Sequence, residues 1–468
     1  MQNSGQIRLD RQQKRSLQVQ LADQLKGIIQ NGQLRTGERL PSSRALADEL
    51  QISRNTVVAA YEMLQGEGYV QGQERSAFVV GFATDAFRST PRPRRQQTGT
   101  QRTKPQSPIA PVPFRPAQPD VSLFSLKVWN RHRTRVLKRG STLLQYQSRF
   151  ALGLDELRVA LAGYLRDSRG VRCNWQQIAI TSGSQQALFL LGHMLLDKDR
   201  SVYMEDPGYP GARRSWEQAR ARIVSVPVDS EGIRLPLPDV PDASLVYVTP
   251  SHQFPTGYCM SLSRRLELLR AAQARRLWIV EDDYDAEFRY TSAPQPSLQS
   301  LDAHGRVIYV GSFSKVLFPG LRLGYAVLPP ELVDPFTALK TTVDDHGPLL
   351  DQATLTGFLE SGAFYAHLRR CRITYRQRQE LFLDLVHQKG LPFTFPVRGR
   401  GMNLAGLLDV SVDDYLLSEA LQRHGLDTPP ISGYCNDAVL SGLLFGLTAY
   451  DDTAIKLGVE KMTSALQC

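Results

Sequence analysis

Five short apolar runs, separated by segments long enough to form helices, constrain most strongly what the larger part of this chain can fold into. Each run is rich in β-branched or aromatic residues, which favours strands. Strands that alternate with helices form parallel sheets, and runs without polar alternation indicate burial on both faces. The sequence therefore predicts an α/β domain with a mostly parallel sheet, built from residues 178–180, 202–204, 245–248, 278–280 and 307–310.

A polar or glycine-bearing turn follows each of these runs directly. The turns are residues 181–184, 205–209, 249–252, 281–284 and 311–315. In open α/β sheets, ligands bind outside the carboxyl ends of the strands. We therefore expect the five turns to form one composite pocket. The alternative is that they are ordinary loops, because connections between strands and helices are generally polar.

Residues 12–81 carry a different, helical pattern. An apolar face from Leu17 to Ile29 predicts a first helix, and Gly32 can end it. Ser42 or Ser43 can cap a second helix, and Ser53 can cap a third. Two short apolar stretches at 69–70 and 78–80 then predict a β-hairpin. Two helices around a tight turn, followed by a hairpin, are typical of a winged helix-turn-helix.

The third helix opens with residues suited to double-stranded DNA. Arg54 can bond guanine and Asn55 can bond adenine. Phosphates are the expected partners of Arg44 and of hydroxyls around the turn. The predicted DNA-binding residues are Ser42, Ser43, Arg44, Ser53, Arg54, Asn55, Thr56 and, at the tip of the wing, Arg75. The alternative is a small helical module that binds protein.

The charge distribution makes this prediction depend on particular residues. The formal net charge is +10, but residues 1–81 carry only +2, and residues 82–120 carry +5. The latter segment is rich in Pro, Arg and Gln, which is typical of a linker. The sequence thus predicts three segments: a DNA-binding domain at 12–81, a basic linker at 82–120 and a large ligand-binding domain at 121–468.

The five cysteines are scattered and form no C-x-x-C pair, which argues against a disulfide framework and against a zinc site. The polar residues after Met1 do not resemble a signal peptide, and no apolar run is long enough to span a membrane. We therefore expect a cytoplasmic protein.

The polar turns contain the groups that pyridoxal 5′-phosphate (PLP) needs. These are a lysine for a Schiff base, an acid for the pyridine nitrogen, a phosphate cradle and an aromatic face. Lys315 is the candidate lysine, Asp282 the acid, Tyr284 the partner of the phenolic oxygen and Tyr209 the stacking ring. The candidate phosphate ligands are Ser312, Ser314, Arg322, Gly183, Ser184 and Gln185. Each motif taken alone has an alternative interpretation. Lys315 could be a solvated surface lysine, and residues 281–285 could form a solvated acidic loop or a magnesium site.

Both parts of the chain resemble known families. Residues 40–47, 53–57 and 67–69 resemble the winged helix of the GntR superfamily. Segments between 114 and 324 resemble fold type I aminotransferases, and the whole chain is similar to MocR/GabR-type regulators. This resemblance implies an internal aldimine at Lys315, a smaller C-terminal α+β subdomain and a domain-swapped homodimer, with each DNA-binding domain on the partner's large domain. The function it implies is a transcription regulator that responds to PLP or to a small amine or amino-acid-like effector.

The sequence departs from aminotransferases where they grip the substrate carboxylate. Residues 425–468 contain no arginine, and the matching stretch 443–447 is apolar apart from a glycine. Other candidate anchors are Arg213, Arg214, Arg398 and Arg400. Tyr146 is the nearest match to a tyrosine that reaches the partner's cofactor phosphate, but it is offset by two residues. This pattern favours sensing over catalysis; a working aminotransferase with an appended DNA-binding module is the alternative.

Overall fold

The computed structural model describes residues 7–13, 15–73, 77–81, 113–139, 143, 148–291 and 295–467. Arg75, Tyr146 and most of the predicted linker lie outside these residues. The chain divides into two compact units, Met1–Gln106 and Ser107–Cys468.

The first unit is a winged helix-turn-helix. Its elements are α1 (Leu17–Gln30), α2 (Ser43–Leu50), α3 (Arg54–Gly66), β1 (Val70–Gln73) and β2 (Ala77–Val80). The apolar face of α1 packs against that of α3 through fully buried side chains, among them Leu21, Ile29, Val57 and Tyr61. The strands β1 and β2 pair antiparallel and form the wing. The predicted helix-turn-helix and hairpin are thus both present.

Two serines begin the helices of the helix-turn-helix. The Ser42 hydroxyl accepts a hydrogen bond from the Ala45 amide (3.2 Å), and the Ser53 hydroxyl accepts one from the Thr56 amide (3.1 Å). Each bond supplies a side-chain acceptor to an amide of the first helical turn, and the Thr56 amide also donates to the Ser53 carbonyl (3.0 Å). Between the helices, Gln51 adopts a left-handed conformation with φ of 52°. This residue ends α2 and turns the chain sharply into α3.

The second unit contains an eight-stranded sheet with the order β3-β10-β9-β8-β7-β4-β5-β6. All five predicted strands belong to it: β3 (Ile178–Thr181) lies at one edge, and β4 (Ser201–Asp206), β7 (Ala243–Val248), β8 (Trp278–Asp283) and β9 (Val307–Ser312) lie inside the sheet. The pairs β4–β7, β7–β8 and β8–β9 are parallel. Helices on both faces include α5 (Asp155–Arg169), α6 (Ser184–Leu195), α7 (Pro210–Gln218) and α8 (Leu262–Ala274). The predicted α/β fold with a mostly parallel sheet is confirmed.

Three further strands complete this sheet. The strand β10 (Gly324–Val327) lies antiparallel between β3 and β9. At the opposite edge, β5 (Arg222–Asp229) pairs parallel with β4, and the two-residue β6 (Gly232–Ile233) pairs antiparallel with β5. The insertion of β10 brings the chain after Lys315 back beside the end of β3.

A smaller α+β layer follows the sheet. The helices α10 (Pro330–Asp344) and α11 (Leu349–Glu360) lead into the long α12 (Ala363–Gln388). The antiparallel pair of β11 (Asn403–Leu408) and β12 (Ser441–Gly446) then packs with α13 (Asp414–Arg423) and α14 (Asp452–Gln467). Two further α-helices in the described ranges are α4 (Leu126–Lys138) and the short α9 (Leu298–Leu301). The predicted C-terminal α+β subdomain is therefore present.

Residues 113–120, which the sequence analysis assigned to the linker, pack into the second unit. Phe114 is fully buried among Phe382, Phe445 and Tyr450. Its carbonyl accepts a hydrogen bond from the Gly446 amide (2.8 Å). The described part of the large unit thus starts before residue 121, the start predicted from sequence.

No helix within the described ranges is long and apolar enough to cross a membrane. Cys173, Cys259, Cys371 and Cys435 are free thiols. Among the described residues, no group of His, Cys, Asp and Glu is arranged to hold a metal ion.

Candidate functional site

A cavity of about 440 Å³ lies at the carboxyl ends of the central strands. All five predicted turns contribute side chains to it, because parallel strands end at the same edge of the sheet. The contributors are Ser184 after β3, Tyr209 after β4, Thr249 and Phe254 after β7, Asp282 and Tyr284 at β8, and Ser312 and Lys315 at β9. The predicted composite pocket therefore exists as one space.

Lys315 projects into this cavity from the turn after β9. Its Nζ donates a hydrogen bond to the Ala117 carbonyl (3.1 Å). Burial lowers the pKa of the Lys315 amine, and nearby Arg322 lowers it further, against the opposing charges of Asp285 and Asp282. A lysine with a lowered pKa is more often neutral, and the neutral amine is the nucleophile in Schiff-base formation.

Asp282 lies at the end of β8 and is almost completely buried. Its Oδ2 accepts a hydrogen bond from the Tyr247 hydroxyl (2.8 Å). Its Oδ1 is buried too, and no described residue donates to it. Burial raises the pKa of this carboxyl to about 7. A buried acceptor without a donor is costly, so this oxygen suits a ligand that brings an N–H group.

The raised pKa of Asp282 makes stability depend on pH. In the folded protein without cofactor, Asp282 keeps its proton up to about pH 7, whereas the unfolded chain releases it near pH 4. The free energy of unfolding therefore falls as pH rises from about 4 to about 7. We expect the melting temperature of the cofactor-free protein to fall less between about pH 5 and about pH 8 in Asp282→Asn than in the wild type. Thermal melts at the two pH values measure this; an identical fall in both proteins would contradict it.

The two aromatic rings predicted from sequence line the same cavity. The Tyr209 hydroxyl donates to Gln185 Oε1 (3.3 Å), which holds the ring beside the start of α6. Gln185 is fixed in turn by bonds from its amide to Gly211 and Ser215. Phe254, which the sequence analysis did not single out, packs edge-on against Tyr209 with a centroid distance of 5.6 Å. A flat ring system is the kind of ligand that these surfaces suit.

A cradle for an anion lies at the start of α6. Gly183 directly precedes this helix and has φ of 82°. As at any helix N-terminus, the amides of the first turn face outward, here toward the β3–α6 turn. The Arg322 guanidinium donates to the Ser182 carbonyl (3.0 Å) and crosses directly over Gly183. A Cβ at Gly324 would lie 2.6–2.8 Å from the backbone of residues 183 and 184, so only glycine fits beside the cradle.

Two serines stand at the end of β9. The Ser312 hydroxyl accepts a bond from the Ser314 amide (3.2 Å). The Ser314 hydroxyl is buried, and no described residue bonds to it. A cationic fork, a helix N-terminus and hydroxyl groups are the elements from which phosphate sites are built.

Sequence reasoning missed a buried, hydrogen-bonded group of three residues, His252, Tyr284 and Asp285. His252 Nδ1 lies 2.9 Å from Asp285 Oδ2 and 3.1 Å from the Tyr284 hydroxyl. Asp285 Oδ2 also accepts a bond from the Met402 amide (3.0 Å). Gly401 packs so closely on the imidazole that a Cβ there would lie 1.9 Å from it. His252 thus joins the turn after β7, the turn after β8 and the segment that leads into β11.

Removal of this imidazole should destabilise the large unit. In His252→Ala the buried Asp285 carboxylate loses a partner, and a cavity opens under Gly401. We expect a loss of about 1–3 kcal/mol in the free energy of unfolding. The control is His193→Ala, because His193 is an exposed histidine on α6, and its replacement should cost less than about 0.5 kcal/mol. Denaturant titrations compare the two; equal small losses would contradict the assignment.

Of the four arginines considered as substrate anchors, only Arg214 lines the cavity. Arg398 instead donates to the Phe395 carbonyl (3.2 Å) and lines a separate cavity near the end of α12. Arg213 and Arg400 are absent from the cavity lining. The cavity contains another cation, Arg115, which sequence reasoning had not considered as an anchor.

The predicted DNA contacts cluster on the helix-turn-helix of the first unit. Arg44, Arg54 and Asn55 are exposed, and the Arg54 Nε donates to the Ser43 hydroxyl (3.3 Å). The Ser53 hydroxyl, besides capping α3, lies 2.8 Å from that of Thr56. The first turns of α2 and α3 contain no acidic residue. The exposed start of α3 therefore presents donors, and its own first turn carries no carboxylate.

Comparison with known proteins agrees with both halves of this description. Residues 17–80 match the model of the gntR family of bacterial regulatory proteins. Residues 122–434 match the model of class I and II aminotransferases. The probable rhizopine catabolism regulatory protein MocR of Rhizobium meliloti is 35% identical over 472 residues, 98% of this chain and 95% of that protein. The chain belongs to the MocR-type transcription regulators.

Other MocR-type relatives are also named as regulators. TauR of Rhodobacter capsulatus is 36% identical over 80% of this chain and 81% of its own length. The pyridoxine biosynthesis regulator PdxR of Corynebacterium glutamicum is 29% identical over 98% of both chains. The prediction of a DNA-binding transcription regulator is confirmed, and it fits these relatives better than a working aminotransferase with an added module.

Solved structures resemble the large unit of this MocR-type chain. An archaeal alanine:glyoxylate aminotransferase superposes with a TM-score of 0.70 at 26% identity, over 75% of this chain and 90% of its own. LysN, an α-aminoadipate aminotransferase from Thermus thermophilus complexed with N-(5′-phosphopyridoxyl)-L-leucine, gives a TM-score of 0.69 at 30% identity, over 76% of this chain and 92% of its own. The aminotransferase fold of the large unit is thereby established.

Proposed function

We propose that this transcription regulator binds PLP covalently through Lys315 and uses the bound cofactor to sense a small molecule. The observation that carries the proposal is the unpaired, buried Oδ1 of Asp282, in the same cavity as a lysine of lowered pKa. The protonated pyridine nitrogen of PLP is a donor of the kind that this oxygen lacks. When bound, the cofactor supplies reversible imine chemistry toward amines.

Other residues of the cavity, together with the cradle at the start of α6, fit the remaining parts of the cofactor. Tyr209 covers one face of the ring, and Tyr284 is the partner of the phenolic oxygen. The phosphate is held by Ser312, Ser314, Arg322 and the turn of Gly183, Ser184 and Gln185. The free Ser314 hydroxyl and the Arg322 fork over the start of α6 support this assignment.

The proposed signal is PLP itself or a small amine or amino-acid-like effector. The name of PdxR, a regulator of pyridoxine biosynthesis, supports the first source. The amine-binding chemistry of the Lys315 cavity supports the second. In either case the ligand changes the affinity of the DNA-binding domain for its operator through a free-energy coupling between the two sites.

The DNA-binding domain acts on an operator in the cytoplasm. Arg54 and Asn55 read bases, while Arg44, the hydroxyls of Ser42, Ser43, Ser53 and Thr56, and Arg75 at the wing tip contact phosphates. A homodimer, domain-swapped through the linker, would present two such domains to two half-sites of one operator.

Reduction with borohydride tests the cofactor assignment. The reagent converts a PLP–lysine Schiff base into a stable secondary amine, so we expect one phosphopyridoxyl group per chain on the peptide that contains Lys315. Mass spectrometry of the digested holo-protein locates it. A label on a different lysine, or no label after incubation with PLP, would refute the assignment.

The proposal also predicts weak catalysis. Because residues 425–468 lack a carboxylate-binding arginine, amino transfer from common amino acids should be far slower than the turnover of about 10 per second that is typical of enzymes. Steady-state assays of the holo-protein with amino-acid and 2-oxo-acid pairs measure this. Turnover at ordinary enzyme rates would favour the aminotransferase instead.

A further inference from the structure

The segment that enters the large unit from the linker forms one wall of the Lys315 cavity. Arg115, Pro116 and Ala117 all line the cavity. The Ala117 carbonyl accepts the bond from Lys315, and the Ala117 amide donates to Asn403 Oδ1 (2.7 Å). The chain that leads to the DNA-binding domain is thus in direct contact with the reactive lysine.

Arg115 already holds a carboxylate at this wall. Its Nε lies 2.6 Å from Oδ2 of Asp427, which also lines the cavity. The two side chains are 52% and 29% exposed, so solvent and small ligands reach both. No other side chain among the described residues bonds to the Arg115 guanidinium. None of the described residues accepts a bond from its other N–H groups, so these can bond to the carboxylate of a ligand.

A carboxylate-bearing ligand needs a cation here because the usual one is missing. The stretch 441–446 forms the fully buried β12, and residues 425–468 contain no arginine. Besides Lys315, the cations lining the cavity are Arg115 and Arg214. Arg115 differs from Arg214 because it already bonds to a carboxylate, that of Asp427, which also lines the cavity. A half-exposed ion pair contributes at most about 1 kcal/mol, so a ligand can replace Asp427 at little cost.

We infer that Arg115 is the anchor for the carboxylate of an amino-acid-like effector and that Asp427 occupies it in the absence of ligand. The inference rests on the proposed function, since the effector's amino group is to be captured at the Lys315 cofactor. Ligand binding exchanges the Asp427 carboxylate for that of the effector, and the exchange takes place on the segment that continues into the linker. The class of effector that this wall selects is an amine that also bears a carboxylate.

Paired ligands that differ only by a carboxylate test the inference. L-alanine and β-alanine are each compared with ethylamine, and δ-aminovalerate with butylamine, on the holo-protein. Dissociation constants come from calorimetry and from the change in absorption of the bound cofactor. The wild type should bind the carboxylate member of at least one pair more tightly. Arg115→Gln should weaken that member by at least about tenfold and leave the plain amine unchanged.

Three further variants separate the possible outcomes. Arg115→Lys keeps the positive charge but loses the bidentate geometry of the guanidinium. It should therefore retain part of the preference for the carboxylate ligand that Arg115→Gln loses. Asp427→Asn removes the internal competitor and should tighten carboxylate binding by up to about fivefold. Arg214→Gln is the matched control and should leave the preference intact.

The inference is overturned if the wild type shows no preference for the carboxylate in any pair. A preference that survives Arg115→Gln, or that is lost in Arg214→Gln instead, overturns it as well. Failure of the proposed function has a different signature: the wild type then shows no cofactor absorption band before any ligand is added.

Discussion

Replacement of Lys315 by alanine is expected to abolish the Schiff-base absorption band that the wild type acquires on incubation with PLP. As far as the described residues extend, Lys315 is the only lysine that lines the cavity and could form a Schiff base there. Asp282, Tyr209 and the phosphate cradle remain in the variant, so PLP can still bind non-covalently. Absorption spectra before and after gel filtration separate covalent from reversible binding.

Lys315→Arg is the matched control for this experiment. It keeps a cation near Asp282 and Asp285 but cannot form the Schiff base, so it should also lack the band and should melt closer to the wild type than Lys315→Ala does. An unchanged band in either variant would mean that another lysine carries the cofactor.

Loss of the two arginines of the helix-turn-helix is expected to have the second large effect. A bidentate contact from arginine to guanine is worth about 1–3 kcal/mol, and a phosphate contact adds to it. The double variant Arg44→Ala/Arg54→Ala should therefore bind the operator at least about tenfold more weakly. Fluorescence anisotropy with an operator isolated by selection from a random DNA library measures the change.

Lys26→Ala is the control within the same domain, because Lys26 lies on α1 and pairs with Glu67 rather than facing the helix-turn-helix. Its replacement should leave operator affinity nearly unchanged. A further distinction comes from salt: the double variant should show a shallower dependence of affinity on salt concentration. Equal affinities of the double variant and the wild type would place the DNA-binding surface elsewhere.

The sequence predicted those elements of the fold whose local pattern matches their environment. The five predicted strands contain continuous apolar runs because both faces of the sheet are covered. The strand β5, next to the edge strand β6, was missed because its burial is interrupted by exposed residues. The strand β10 was missed because its four residues follow the Arg322 turn, and no local signal indicates that a short apolar run lies antiparallel between two other strands.

The site was predictable where each residue acts at the end of its own strand. Lys315, Asp282, Ser312 and Tyr209 follow apolar runs, so topology alone brings them together. The pairing of Arg115 with Asp427 joins residues 312 positions apart, and that of His252 with Asp285 joins the ends of two different strands. The first pair forms because the segment around Phe114 packs on the small subdomain, and the second because the turns after β7 and β8 fold toward each other beyond the strand ends.

Operator affinity measured on holo-protein, cofactor-free protein and Lys315→Ala tests the central claim most directly. A regulator that senses through the Lys315 cavity should change its operator affinity by at least about fivefold when PLP, or PLP with an effector from the amino-acid pairs, is added. Lys315→Ala cannot hold the cofactor covalently, so its operator affinity should change much less than that of the wild type. A wild type whose operator affinity is indifferent to both cofactor and effector would contradict the account.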